Sequence, residues 1–188
     1  MIYEPAEDSF LLLSFVKMHA RGIVLDMGCG SGMLAKEAMK HARKIVAADI
    51  DEEAVECCRK QGINAVRSDL FSNIGEKFDL IIFNPPYLPK DEKEDKKTAV
   101  ALSGGKKGHE IINRFLQEAK NHLNKNGRIL IVASSLTGDV EKLFKKHGYK
   151  FKLLKEESYF FEKLKVYLIA IKVSLLSLYW SFLLSYRS

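Results

Sequence analysis

Cysteine is scarce in this 188-residue chain, which has three, two of them adjacent at Cys57 and Cys58. So few thiols build neither a disulfide framework nor a metal-ligand spacing, and they suit a reducing compartment, the cytoplasm. No repeat recurs at solenoid or propeller spacing, and low complexity is confined to one short charged run, so a single domain is expected. Residues 1–8 carry two Glu, one Asp and no apolar run, and a cleaved export signal is not expected. Long apolar stretches are missing until the end, where the uncharged run after Lys172, about 14 residues, is short for a membrane span. What is present is ordinary globular composition, 47% apolar and 29% charged, which excludes collagen-like, mucin-like and wholly disordered chains. A formal charge of +6 suits acidic partners, nucleic acid among them, without requiring one.

Apolar, β-rich runs recur at residues 22–25, 45–48, 63–66, 80–83, 128–133, 151–154 and 165–171. Helical spacing predicts helices over residues 7–18, 32–42, 52–61, 109–124 and 137–147, with Gly62, Gly127 and Gly148 as terminators. Alternation of the two implies an α/β fold: a mostly parallel seven-stranded sheet covered on both faces. The last two strands lack a helix between them and should form an antiparallel pair at one edge. Lys90 to Lys97 reads as a solvated loop, and with Thr98 to Lys107 it makes a long insertion after a strand. In an open α/β sheet ligands sit at the carboxyl ends of strands, so that loop is placed to cover a site, the competing reading being a tolerated surface excursion.

Chemistry begins at Val24-Leu25-Asp26-Met27-Gly28-Cys29-Gly30-Ser31-Gly32, between an apolar run and a helical pattern. Glycines at 28, 30 and 32 let backbone turn tightly against a ligand. A dinucleotide fingerprint needs glycine where Met33 stands, and a phosphate-binding Walker loop needs a Lys-Ser or Lys-Thr pair that is absent, so pyrophosphate is disfavoured. Asp26 before the glycines repels phosphate and attracts a cationic amino-acid end. Asp49 ends the next strand, where a carboxylate accepts from ribose hydroxyls. Asp69 follows the third strand, within reach of an exocyclic adenine amine, with Ile50 and Leu70 as apolar faces for the base. Any one of these acids alone reads equally well as a loop residue or helix cap. Together they describe S-adenosylmethionine better than a nicotinamide.

Strand 80–83 runs into Asn84-Pro85-Pro86-Tyr87. Two prolines stiffen this corner and remove its N–H donors, leaving carbonyls to face inward. The Asn84 side-chain oxygen and the Pro85 backbone oxygen suit the two hydrogens of a planar –NH2 group, and Tyr87 offers a ring face to its π-system. An amide or aromatic amine is a poor nucleophile, so methylating it requires orientation and acceptors for the charge that develops on nitrogen, with no covalent intermediate. The competing reading is a Pro-Pro turn that merely ends a strand.

These blocks resemble the class I S-adenosylmethionine-dependent methyltransferases, and more narrowly the archaeal and eukaryotic HemK-like release-factor glutamine N5-methyltransferases. Two further blocks carry the narrower likeness, Tyr3-Glu4-Pro5-Ala6-Glu7-Asp8-Ser9 and Ala101 to Glu110. The resemblance covers about residues 1–172. It implies a Rossmann-like sheet and methylation of the glutamine side chain in a release factor's Gly-Gly-Gln motif. It also implies a small zinc-ribbon activator protein as partner in a heterodimer. By position it implies cofactor contacts from Ser9, Asp26, Gly28, Gly30, Asp49, Ile50, Asp69, Leu70 and Asn84, and a target amide held by Asn84 and Pro85. From the residues alone, Ser9 or Asp8 also reads as a cap on the first helix. The motif leaves an exocyclic base amine of RNA or DNA, or a protein lysine, open as acceptor. No metal site is expected in this chain. The apolar tail 173–188 departs from the family pattern and stands outside the domain 1–172.

Overall fold

Along β4 (Phe78–Phe83) the side chains alternate between two separate apolar clusters. Leu80 and Ile82 join one, Ile81 and Phe83 the other, as the period of two in a strand requires. The computed structural model describes residues 5–86 and 108–172, and this alternation organises them. One face packs α1 (Glu7–His19), α2 (Met33–Ala38) and α3 (Glu52–Lys60) on the sheet through Leu12, Val16, Leu34 and Val55. The other face packs α4 (Glu110–Ala119) and α5 (Val140–Lys146) through Phe115, Leu116 and Phe144, all fully buried. Each such side chain contributes about 1.5–3 kcal/mol relative to exposure.

The seven strands lie in the order β3-β2-β1-β4-β5-β7-β6. The remaining ones are β1 (Ile23–Met27), β2 (Lys44–Asp49), β3 (Ala65–Arg67), β5 (Leu123–Ser134), β6 (Tyr149–Ser158) and β7 (Lys163–Ile171). β1 pairs in parallel with β2 and β4, and β4 with β5, while β7 is antiparallel to both β5 and β6. The expected antiparallel pair is present, with one refinement: β7 sits inside the sheet and β6 forms the edge. The chain builds outward from β1 to β3, then returns to β4 and builds the other way. β1 and β4 therefore flank the topological switch point, where ligands bind in open α/β sheets.

Several boundaries differ from those the sequence suggests, two helix ends among them. α2 ends at Ala38, and residues 39–42 continue in tighter turns, with Lys40 N–H on Glu37 C=O and His41 N–H on Ala38 C=O. The helix expected over 109–124 ends at Ala119, followed by a single 3₁₀ turn, Lys120–His122. Strand β5 then begins at once. Its register against β4 slips between Phe78/Leu123 and Leu80/Arg128, an irregularity that Asn126 turns with φ of +69°. Gly127 belongs to that slip and not to a helix end: a Cβ there would stand 2.7 Å from Phe78 O and 3.0 Å from Asn124 O.

The insertion over residues 90–107, Tyr87 and the tail 173–188 lie outside the described residues. Among the described residues, no helix is long and apolar enough to cross a membrane.

Candidate active site

Register places the two motifs together. Met27 pairs with Phe83 as the last residues of adjacent parallel strands, so Gly28 and Asn84 leave the sheet side by side. A Cβ added to Gly28 would lie 3.8 Å from the Asn84 backbone oxygen. The glycine turn and the proline corner are one site, at the switch point.

The turn is held by its own backbone. Gly28 and Cys29 N–H groups both donate to Ala48 O, at 2.8 and 3.1 Å, and Gly30 N–H donates to Asp49 Oδ2 at 2.9 Å. Gly28, Gly30 and Gly32 all have positive φ, between 49° and 82°, a region that side chains with a Cβ seldom occupy. With these amides committed inward, the turn does not offer the row of free N–H groups a pyrophosphate needs. Gly32 has a second constraint, since a Cβ there would meet Cys58 Sγ at 2.9 Å. Cys58 is fully buried, and its Sγ lies 3.4 Å from Cys29 Sγ.

The three predicted acids occupy the carboxyl ends of three neighbouring strands, in differing states. Asp26 is 1% exposed, and neither carboxylate oxygen has a hydrogen-bond partner among the described residues. Burial pushes its pKa up to about 7. The Ala35 N–H draws it partway back without reaching hydrogen-bond geometry, and the neighbouring Asp49 charge adds to the rise. Asp49 is a structural acceptor: Oδ2 takes Gly30 N–H and Oδ1 takes Asp51 N–H at 2.9 Å. Burial raises its pKa, with those amides opposing. Asp69 is about half exposed and ion-paired with Arg114, Nη2 to Oδ2 3.0 Å. Ile50 is 46% exposed beside the site, whereas Leu70 is buried with φ of +48°.

At the proline corner Pro85 is buried and Pro86 half-buried. The Asn84 amide donates from Nδ2 to Ser9 Oγ at 3.1 Å, while Oδ1 is buried with no partner among the described residues. Ser9 and Asp8 do not cap α1; the N-cap is Ala6, without a side-chain bond. Of the four buried side-chain oxygens lacking a partner among the described residues, three belong to Asp26 and Asn84, the fourth being Thr137 Oγ1. Each such group costs about 1–3 kcal/mol when left unmade. Asp26 and Asn84 stand at the carboxyl ends of the adjacent strands β1 and β4, and acceptors left open there suit a ligand rich in donors.

Sequence reasoning missed Arg114, 45 residues from Asp69, and the Ser9–Asn84 bond, spanning 75 residues. Neither has a spacing signal, because both arise from tertiary packing. Among the described residues, no group of three or more His, Cys, Asp or Glu is arranged to hold a metal.

A parallel sheet that presents an internally bonded glycine turn and unpaired acceptors at its switch point is the construction of a Rossmann-like methyltransferase. The chain belongs to the methyltransferase small domain family, whose model matches residues 6–161. It is 42% identical over 176 residues to a Methanocaldococcus jannaschii protein ascribed protein N5-glutamine methyltransferase activity, covering 88% of this chain and 89% of that one. It is 32% identical over 164 residues to the mouse methyltransferase HEMK2, covering 77% and 76%. Among solved structures, the E. cuniculi Mtq2–Trm112 complex, responsible for methylation of the termination factor eRF1, matches with a TM-score of 0.75 and 26% identity, covering 90% of this chain and 98% of that one.

S-adenosylmethionine, the cofactor this family implies, fits what is present. Asp26 has buried carboxylate oxygens without a partner among the described residues, the kind of acceptor a cationic ammonium group would take, and the glycine turn leaves room where side chains would intrude.

Proposed function

We propose that this chain transfers a methyl group to the side-chain amide nitrogen of the glutamine in a release factor's Gly-Gly-Gln motif. A small zinc-ribbon activator serves as its partner in a heterodimer. The reaction belongs where translation ends, in the cytoplasm. The observation that carries this reading is Asn84 Oδ1, buried and without a hydrogen-bond partner among the described residues, on a residue whose backbone oxygen adjoins Gly28 of the glycine turn. When bound, S-adenosylmethionine supplies a methyl group on a positively charged sulfur. Everything else falls to the protein. Asp26 holds the cofactor's ammonium end; Asp49 accepts from the ribose; Asp69, Ile50 and Leu70 frame the adenine; Gly28, Gly30 and Ser9 line the turn side.

Asn84 Oδ1 and the Pro85 carbonyl accept the two hydrogens of the glutamine –NH2, which turns the nitrogen toward the methyl group. An amide nitrogen has its lone pair delocalised, and acceptors on its hydrogens raise electron density there as the new bond forms. Pro86 keeps the corner rigid, and the ring face that the sequence offers the amide belongs to Tyr87, outside the described residues. The corner itself donates no N–H at either proline, so it does not compete with the substrate for acceptors. The proton lost from nitrogen leaves along its hydrogen bond and passes to water.

The test incubates the purified protein, with and without a zinc-ribbon partner, with labelled cofactor and either release factor or RNA. Label on the Gly-Gly-Gln glutamine is expected, with more turnover when the partner is present. Label on a nucleobase or a lysine would contradict the assignment.

A further inference from the structure

We propose that Ser9 is a positioning residue that decides which end of the Asn84 amide faces the reacting group, and that Asp8 in turn fixes the Ser9 hydroxyl. The inference rests on the role given to Asn84 above. An asparagine amide has two ends of nearly the same size and opposite hydrogen-bonding sense. If Asn84 turned its –NH2 inward, it would face the –NH2 of a substrate with a second donor, and the corner would repel what it has to hold.

The bonds around Ser9 remove that choice. Ser9 Oγ donates to Asp8 Oδ1 at 3.2 Å, and the same oxygen takes Ser9 N–H at 2.5 Å. With its proton directed to a carboxylate, the Ser9 oxygen has only lone pairs left for Asn84. It accepts Nδ2–H at 3.1 Å, and Asn84 Oδ1 is driven to the other side, where it has no partner among the described residues. Asp8 and Ser9 are 3% and 5% exposed, so water does not substitute for either member. The first turn of α1 thus serves β4, packed across the chain, and leaves its own N-cap at Ala6 without a side-chain bond.

The experiment compares Ser9→Ala, Asn84→Ala and the double variant, together with Ser9→Thr and Ser9→Val, which share a shape and differ by the hydroxyl. Readouts are the single-turnover rate of methyl transfer to a recombinant release factor, calorimetric affinity for S-adenosylhomocysteine, thermal melting, and the Asn84 side-chain amide resonances in ¹⁵N NMR. Loss of one neutral hydrogen bond predicts a rate about 3–10-fold lower for Ser9→Ala. Because Ser9 also lines the cofactor side of the site, the rate is read at saturating cofactor, which separates any loss through cofactor binding, reported by the S-adenosylhomocysteine affinity, from the loss that comes through Asn84. Ser9→Thr should restore the rate and the Asn84 amide resonances, and Ser9→Val should restore neither. In the Asn84→Ala background, removing the Ser9 hydroxyl should add less than about twofold, since coupled residues do not add.

A rate loss that saturating cofactor abolishes would make Ser9 a cofactor contact alone and overturn the proposal. So would fully additive losses in the double variant, or Asn84 resonances that ignore the Thr-for-Val exchange. An Asn84→Ala variant as fast as wild type, with Ser9→Ala still slow, would instead remove the role of Asn84 itself.

Discussion

Asp26 takes a carboxyl group out of water and gives it no hydrogen-bond partner among the described residues, and the free protein bears the cost. Its pKa rises to about 7 in the folded chain, against the ordinary carboxylate range when unfolded. Between those values the folded state holds more protons than the unfolded one, so this group's contribution falls as pH rises through that window and levels off above it. Asp26→Asn should therefore melt at a higher temperature than wild type, by a margin that is larger at pH 8 than at pH 5. A margin independent of pH would remove the assignment. The same variant should bind S-adenosylmethionine about tenfold or more weakly, the scale of losing a charged hydrogen-bond partner. A binding site that destabilises its empty form is what a ligand-charged acid predicts.

Between elements, the bonds that tie strand ends together explain how the turn keeps its shape. Asp49, the last residue of β2, holds Gly30 and Asp51 at once. Asp49→Ala removes both ties and the proposed ribose acceptor, and should weaken cofactor binding by more than Asp49→Asn, which retains one acceptor oxygen. Isothermal titration of the two variants checks the order; equal affinities, or an unchanged one, contradict it. At the other end of the sheet Gly127 is needed for a close approach to Phe78 O and Asn124 O. Gly127→Ala should cost about 1–3 kcal/mol of stability, the range for overpacking, with no change in transfer rate per folded molecule. Denaturant unfolding beside a rate assay separates the two, and a slowed rate with unchanged stability would contradict a structural role.

Much of this was legible because it is local. Strand, glycine turn and helix follow one another in sequence, and the acids at 26, 49 and 69 can be read from where the apolar runs end. Gly127 was misplaced at a helix terminus for the same reason: a glycine after an apolar pattern looks alike whether it ends a helix or admits a neighbouring carbonyl. The Arg114 pair on Asp69, the meeting of Cys29 with Cys58, and the Ser9 bond to Asn84 depend on which helix lands over which strand. No spacing encodes that.

For the molecule as a whole, the strand order does the positioning. Because β1 and β4 are neighbours with Met27 opposite Phe83, the glycine turn and the proline corner, proposed here to receive the cofactor and the amide, open side by side. Neither motif requires the other locally; the sheet brings them together, and alternation of side chains across it gives each face its helices. The most direct test is single-turnover methyl transfer by Asn84→Ala under saturating cofactor, with the product mapped by mass spectrometry. Losing a preorganised acceptor predicts transfer to the glutamine amide about 100- to 1000-fold slower than wild type, while cofactor affinity changes by less than about threefold. Transfer at close to the wild-type rate would contradict the account.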